Sequence, residues 1–209
     1  MAHSANFWDK IAVKYSKRPV GNEAAYQQKL QKSREYFRSD MEVLEIGCGT
    51  GTTALSHAPF VKHIRATDIS SEMLKIARDK AKAQNIKNVT FEQSDIDHLT
   101  VPDQSLDAAL ALSLLHLVEN KEDVIKRVYK MLKPGGYFIT STVCLGDNMK
   151  YFKLIAPIGK FFRLMPLLKI FSAKEMETAL TDAGFEIDHL WQPEKAVSIF
   201  IIARKVPST

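Results

Sequence analysis

Between Met41 and Gly51 the chain reads MEVLEIGCGTG, and the residue types there could do chemistry. An apolar run, Val43, Leu44 and Ile46, carries one embedded acid, Glu45, and then glycine recurs at Gly47, Gly49 and Gly51. Without a Cβ, glycine permits a tight strand-to-helix turn and lets a ligand approach the backbone. Free N–H groups at the start of the following helix favour a negative group on that ligand. The stretch reads as a turn that seats a nucleotide-type cofactor, with a glycine-rich connection of no further purpose as the simpler alternative. A second acid, Asp68, closes the apolar run 63–67 and lies 21 positions after Gly47. That is near the spacing at which an acid after the second strand binds ribose hydroxyls. An ionised carboxylate only accepts hydrogen bonds and can take both hydroxyl protons at once; a solvated loop aspartate is the alternative. His116 follows the fourth apolar run, 106–113, beyond the strand end where ligands of open α/β sheets bind. Its ordinary pKa would let it accept a proton at neutral pH, and a structural histidine is the equal alternative.

The glycine spacing is GxGxG, and the last position of a dinucleotide GxGxxG fingerprint falls on Thr52. With an acid inside the preceding strand, the pattern resembles motif I of the class I (Rossmann-like) methyltransferases that use S-adenosyl-L-methionine. The motifs LEIGCGTG, TDIS, SDI and LKPGG occur in that order and extend the resemblance over most of the chain. The nearest type is the ubiquinone/menaquinone-biosynthesis methyltransferases. In that family an acid after the third strand meets the adenine amino group and the next apolar residue packs on the ring, which implies these roles for Asp95 and Ile96. The set expected to hold the cofactor is Glu45, Gly47, Cys48, Gly49, Gly51, Asp68, Ile69, Met73, Asp95, Ile96 and Ser113. His116, and less strongly Tyr15, are the candidate bases.

These groups need elements to place them. Phe7, Trp8, Ile11 and Tyr15 recur at helical spacing over 5–17, and a second helix is expected over 23–38. The two could form a lid over the cofactor or simply pack down. Strands are expected at the glycine turn, over 63–67, 88–93 and 106–113; the last is nearly all apolar, as a strand covered on both faces should be. Ser70, Asn120 and Ser172 read as helix caps. Lys133-Pro134-Gly135-Gly136 reads as a turn before a strand over 137–143. Strands over 185–191 and 197–203, joined by a loop at Pro193, must pair antiparallel. The resulting expectation is an α/β fold: a Rossmann-like seven-stranded, mostly parallel sheet with one antiparallel strand, helices on both faces, N-terminal helices and a helical cap over 145–171. The last segment holds many apolar residues laced with Lys and Arg, so it caps a greasy substrate, packs onto the domain or touches a membrane surface.

At 209 residues the chain fits one domain over 1–209, with residues 1–38 as its lid. Hydrophobic residues at 45% and charged residues at 25% suit an ordinary globular protein. The net charge is +5, but the basic residues are spread along the chain, which weighs against a nucleic-acid partner. Cys48 and Cys144 sit in unrelated contexts and suggest neither a disulfide nor a metal site, so a reducing, cytoplasmic setting is expected. No secretory signal or membrane-spanning run is apparent. The [ND]PP[YFW] signature of base-amino methylation is missing, and Cys144 lacks the flanking motif of a cytosine C5 enzyme. The resemblance implies methyl transfer to a small, hydrophobic or amphiphilic acceptor as the expected activity. The alternatives are a non-catalytic subunit of the same fold and an NAD(P)-dependent oxidoreductase.

Overall fold

The structure is a computed structural model that describes residues 2–146, 168–193 and 197–207. Strands β1 (Glu42–Ile46), β2 (His63–Asp68), β3 (Val89–Gln93), β4 (Leu106–Leu112), β5 (Leu132–Val143), β6 (Phe185–Trp191) and β7 (Ser198–Lys205) form one sheet. Its order is β3-β2-β1-β4-β5-β7-β6. The first five strands are parallel, and β7 runs antiparallel to both its neighbours, as the short link after β6 requires. Order reverses between β1 and β4, and the open crevice beyond the carboxyl ends of these two strands is where such sheets bind ligands.

Alternation along β1 sends its side chains into two separate cores. Leu44 and Ile46 join Ala109, Ala111 and Phe138 under α5 (Lys121–Met131) and the helix α6 (Ala173–Asp182). Val43 joins Ile64, Ala66, Leu110 and Phe200 on the other face, with Leu74 of α4 (Ser71–Ala83) and Ala54 of α3 (Thr52–His57). Each Val, Leu, Ile or Phe side chain among these contributes about 1.5–3 kcal/mol when fully buried, which is why β4 reads as a nearly continuous apolar run.

Local chemistry sets the helix ends. Ser70 Oγ accepts from the Met73 N–H, Asn120 Oδ1 from Glu122 and Asp123, and Ser172 and Glu175 make a full capping box. The N-terminal helix α1 spans Ala2–Ser16 and α2 spans Glu23–Arg34. The expected continuation of α2 to Arg38 does not occur. Beyond Arg34 the backbone tightens into i→i+3 bonds from Tyr36 to Ser33 and from Phe37 to Arg34. This swings Tyr36 onto Tyr137 and Phe37 onto His57, both edge-on at 5.0 Å. A second departure is at Lys133–Gly136, expected as a turn ahead of the strand. Leu132 already pairs with Leu106 and Tyr137 with Ala108, so the four residues bulge out of β5 rather than precede it. The proposed cap over 145–171 lies outside the described residues from 147 to 167, as does most of the loop after Pro193.

His57 is fully buried at the end of α3, and neither ring nitrogen has a hydrogen-bond partner. Burial, assisted by the Arg34 charge, pushes its pKa down to about 3 from an ordinary 6.5. The unfolded chain therefore takes up a proton below pH 6.5 that the folded chain refuses. Stability is fully present above pH 6.5 and is lost as pH falls toward 3, by about 1.4 kcal/mol per pH unit. His57→Leu should remove this slope. Relative to the wild type, urea unfolding should show the variant gaining about 2 kcal/mol between pH 7 and pH 5. A pH-independent difference would mean that the ring is solvated or charged in the folded protein.

Candidate active site

The glycine turn is held by its neighbours on all sides. The Cys48 N–H donates to the Thr67 carbonyl at 2.9 Å, and the Gly49 N–H donates to Asp68 Oδ2 at 2.8 Å. From α4, Lys80 Nζ reaches back to donate to Thr50 Oγ1 and Thr52 Oγ1. Gly47, Gly49 and Gly51 all have positive φ, where a side chain is strained. Their surroundings differ. A Cβ on Gly51 would collide with Ala77 and Phe91, whereas one on Gly49 would meet nothing within 4 Å. Gly51 is thus a packing glycine, and Gly49 leaves an open face.

That face opens on two cavities that meet along Tyr15, Gly47, Gly49, Leu112 and Ser113. The first, of about 420 Å³, has Ile69, Met73, Ile96 and Trp8 as apolar wall. Among the described residues its charged lining is Asp68, Asp95, Asp97, Glu119 and Asp123, without Lys or Arg. The second, of about 380 Å³, holds Arg18, Lys29 and one acid, Glu45, within a wall of hydroxyls from Tyr26, Thr50, Thr52, Thr53 and Ser141.

Asp68 is oriented by two backbone donors, Gly49 on Oδ2 and Ser70 on Oδ1 at 2.9 Å. Burial pushes its carboxyl up, and these N–H groups oppose the rise. At Asp95 burial also acts upward, but the His98 ring and backbone N–H outweigh it and hold the carboxyl below the usual range. Both of those bonds fall on Oδ1, at 2.7 and 2.8 Å. Glu45 is buried on the α3 side of β1, and its Oε2 meets no partner. Burial, with the Asp68 charge adding to it against the Ala54 N–H, pushes its pKa up to about 8. This acid is largely protonated at neutral pH.

Of the residues singled out in the sequence, Tyr15, Glu45, Gly47, Cys48, Gly49, Asp68, Ile69, Met73, Asp95, Ile96 and Ser113 line one or both cavities. Gly51 and His116 line neither. The short helical turn Leu115–Leu117 directs the His116 ring to Thr142 Oγ1, 3.2 Å from Nδ1, and burial pushes its pKa down to about 4. Ser113 sits at the seam with φ +59, an uncommon backbone for a non-glycine residue and one that clusters at functional sites. Helix α1 is fixed across the opening by Asp9, whose Oδ1 accepts from Ser70 Oγ at 2.6 Å and from the Glu72 N–H at 3.1 Å. This places Trp8 and Tyr15, ring centroids 6.1 Å apart, over the first cavity. Asp9, Arg18, Lys29 and Asp123 were not legible as site residues, because nothing local distinguishes them from solvated charges. Among the described residues, no cluster of acids, histidines and cysteines is arranged to hold a metal, and no helix is long and apolar enough to cross a membrane.

Residues 37–193 match a family model described as a methyltransferase domain. The sequence is similar to the uncharacterized methyltransferase YcgJ of Bacillus subtilis, 31% identical over 102 residues, or 49% of this chain and 40% of that protein. It is also 32% identical over 136 residues to demethylmenaquinone methyltransferase of Leptospira interrogans, covering 63% of this chain and 54% of the relative. The chain thus spans about half the length of the curated relatives it matches. The crystal structure of the B. subtilis YcgJ protein matches with a TM-score of 0.72 over 87% of this chain and 100% of that one. At 17% identity this is a likeness of fold.

Proposed function

Given that the chain belongs to the methyltransferase-domain family matched over residues 37–193, we propose that it transfers the methyl group of S-adenosylmethionine to a small hydrophobic or amphiphilic acceptor. The observation that carries this reading is the division of charge between the cavities. A dinucleotide would lay a pyrophosphate against Asp68, Asp95, Asp97 and Asp123, with no cation among the described residues that line that space to offset the repulsion. An adenosyl sulfonium is positive at its centre and offers hydroxyls and an amino group as donors, which suits the same acids. In this reading Asp68 accepts from the ribose hydroxyls, Asp95 from the adenine amino group, and Ile69, Met73 and Ile96 contact the ring and sugar. Gly47 and Gly49 let the cofactor cross into the second cavity, beside Glu45, Cys48 and Ser113.

When bound, the cofactor supplies a methyl on a sulfonium that leaves as a neutral thioether, so the leaving group needs no acid. The residues of this chain then have three tasks: to align the acceptor, to exclude water and to receive a proton where the acceptor begins protonated. Trp8 and Tyr15 cover the crevice, and the Tyr15 hydroxyl is the candidate for positioning the nucleophile. His116 is neutral at physiological pH and is the second candidate base, acting only if the wall between its ring and the cavity moves. We take residues 1–209 as a single such domain working in the cytoplasm, where thiols such as those of Cys48 and Cys144 stay reduced. The demethylmenaquinone relative supports a quinol-like acceptor.

Radiolabelled S-adenosylmethionine incubated with quinone precursors, phenols, amines, thiols and phospholipids tests the proposal. Label should appear in at least one class, and NADH should give no fluorescence titration. A folded protein that binds neither cofactor would instead be a non-catalytic subunit.

A further inference from the structure

Between Asp9 and Glu23 the chain has four cations, Lys10, Lys14, Lys17 and Arg18, and no acid. Lys10, Val13, Lys14 and Lys17 follow i, i+3, i+4, i+7 spacing along α1 and the turn that ends it, so they share one stripe. The opposite stripe holds the helix down: Ala12 is fully buried, and Asp9 is tied to Ser70 and Glu72. All four cations are exposed, and among the described residues none of them makes an ion pair. The helix dipole favours a cation in the last turn, which accounts for Lys14 but not for Lys10. Nor does it account for the apolar side chains set among these charges. Val13 is 60% exposed, Tyr15 44% and Val20 45%, three of the five large apolar side chains that the described residues leave in solvent. Cations interleaved with exposed apolar groups on one helix face are the pattern of a helix that lies on a lipid surface. A soluble polyanion would satisfy the cations and leave the valines in water. Tyr15, Arg18 and Val20 also line the second cavity, so this face forms part of its rim.

We propose that the outer stripe of α1 and the turn to Val20 form a docking surface for an anionic lipid bilayer. Lys10, Lys14, Lys17 and Arg18 meet the headgroups, and Val13 and Val20 enter the acyl boundary. A negative lipid surface attracts such cations over about a Debye length, and burial of the valines adds to the attraction. No described helix is long and apolar enough to cross a membrane, so the contact is peripheral. The docking goes beyond the methyl-transfer reading and stands without it. Joined to that reading, it brings a hydrophobic acceptor dissolved in the bilayer to the rim of the site.

Sedimentation of the full chain with vesicles, in the absence of cofactor and acceptor, is the test. Phosphatidylcholine vesicles carrying about 30 mol% phosphatidylglycerol should bind the wild type, and pure phosphatidylcholine vesicles should not. A variant combining Lys10→Gln, Lys14→Gln and Lys17→Gln should lose about 100-fold in partitioning, and Val13→Ser about 5- to 10-fold. These four positions are exposed, and thermal unfolding checks that the variants fold. A wild type that stays in the supernatant overturns the proposal, as does equal binding to both kinds of vesicle or unchanged partitioning in either variant. Binding to duplex DNA or polyglutamate that needs the lysines but not Val13, with no binding to vesicles, would make the stripe a polyanion site and overturn it too. Because no cofactor enters the assay, each of these results leaves the methyl-transfer reading where it stands.

Discussion

Asp68→Ala should weaken S-adenosylmethionine binding by about 1.5–3 kcal/mol, roughly 10- to 150-fold, because hydrogen bonds to a charged acceptor are lost. The size of the effect follows from how the carboxylate is held. Each oxygen already accepts one backbone N–H, from Gly49 or from Ser70, so the group is fixed in orientation before a ligand arrives. Each oxygen retains a further lone pair for a ribose hydroxyl, and such pre-organisation removes the ordering cost from binding. The same substitution unties the glycine turn from β2, so Asp68→Asn is the cleaner partner variant. It keeps one acceptor oxygen and should fall between alanine and wild type. Calorimetry with both variants checks this order, and unchanged affinity in Asp68→Ala would remove the residue from the site.

Gly51→Ala should destabilise the fold by about 2–5 kcal/mol, combining a left-handed backbone cost of roughly 1–2 kcal/mol with overpacking of roughly 1–3 kcal/mol. The Cβ would sit 2.8 Å from Ala77 Cβ and 2.9 Å from Phe91 Cε1. Ala77 cannot retreat, since it has no side-chain torsion and is fully buried in α4, whereas the half-buried Phe91 ring on β3 must turn aside. Gly49→Ala is the matched control. Its φ of +52 carries the backbone cost, but its Cβ would enter empty space beside the cavities. Stability should drop by only about 1–2 kcal/mol, while cofactor affinity should fall because that space is needed. Urea unfolding of the two variants separates the effects, and equal losses of stability would contradict the division between a packing glycine and a site glycine.

Much of this fold is legible in sequence because the sheet is covered on both faces. Leu106–Leu112 had to be apolar but for Asp107, and Val43, Leu44 and Ile46 had to serve two cores at once. Caps at Ser70, Asn120 and Ser172 were equally plain, since their partners lie within three residues. The bulge at Lys133–Gly136 was not, because pairing with β4 decides it and a Pro-Gly-Gly run looks the same in a turn. Acids at strand ends, such as Asp68, can be found by spacing. Lys29 could not: its partner Ser141 is 112 positions away, and a lysine on a polar helix resembles any surface lysine. Asp9 meets Ser70 across 61 positions, so the fastening of α1 over the crevice is also a purely tertiary fact. His116 shows the converse, a residue whose position suggested the site but whose ring the following turn directs to Thr142.

A structure of the protein with S-adenosylhomocysteine is the most direct measurement. It should show the ribose hydroxyls on the Asp68 carboxylate, the adenine between Asp95 and Ile96, and the thioether sulfur near the seam at Gly47, Gly49 and Ser113. The ligand bound elsewhere, or a glycine turn closed by side chains with no ligand admitted, would contradict it.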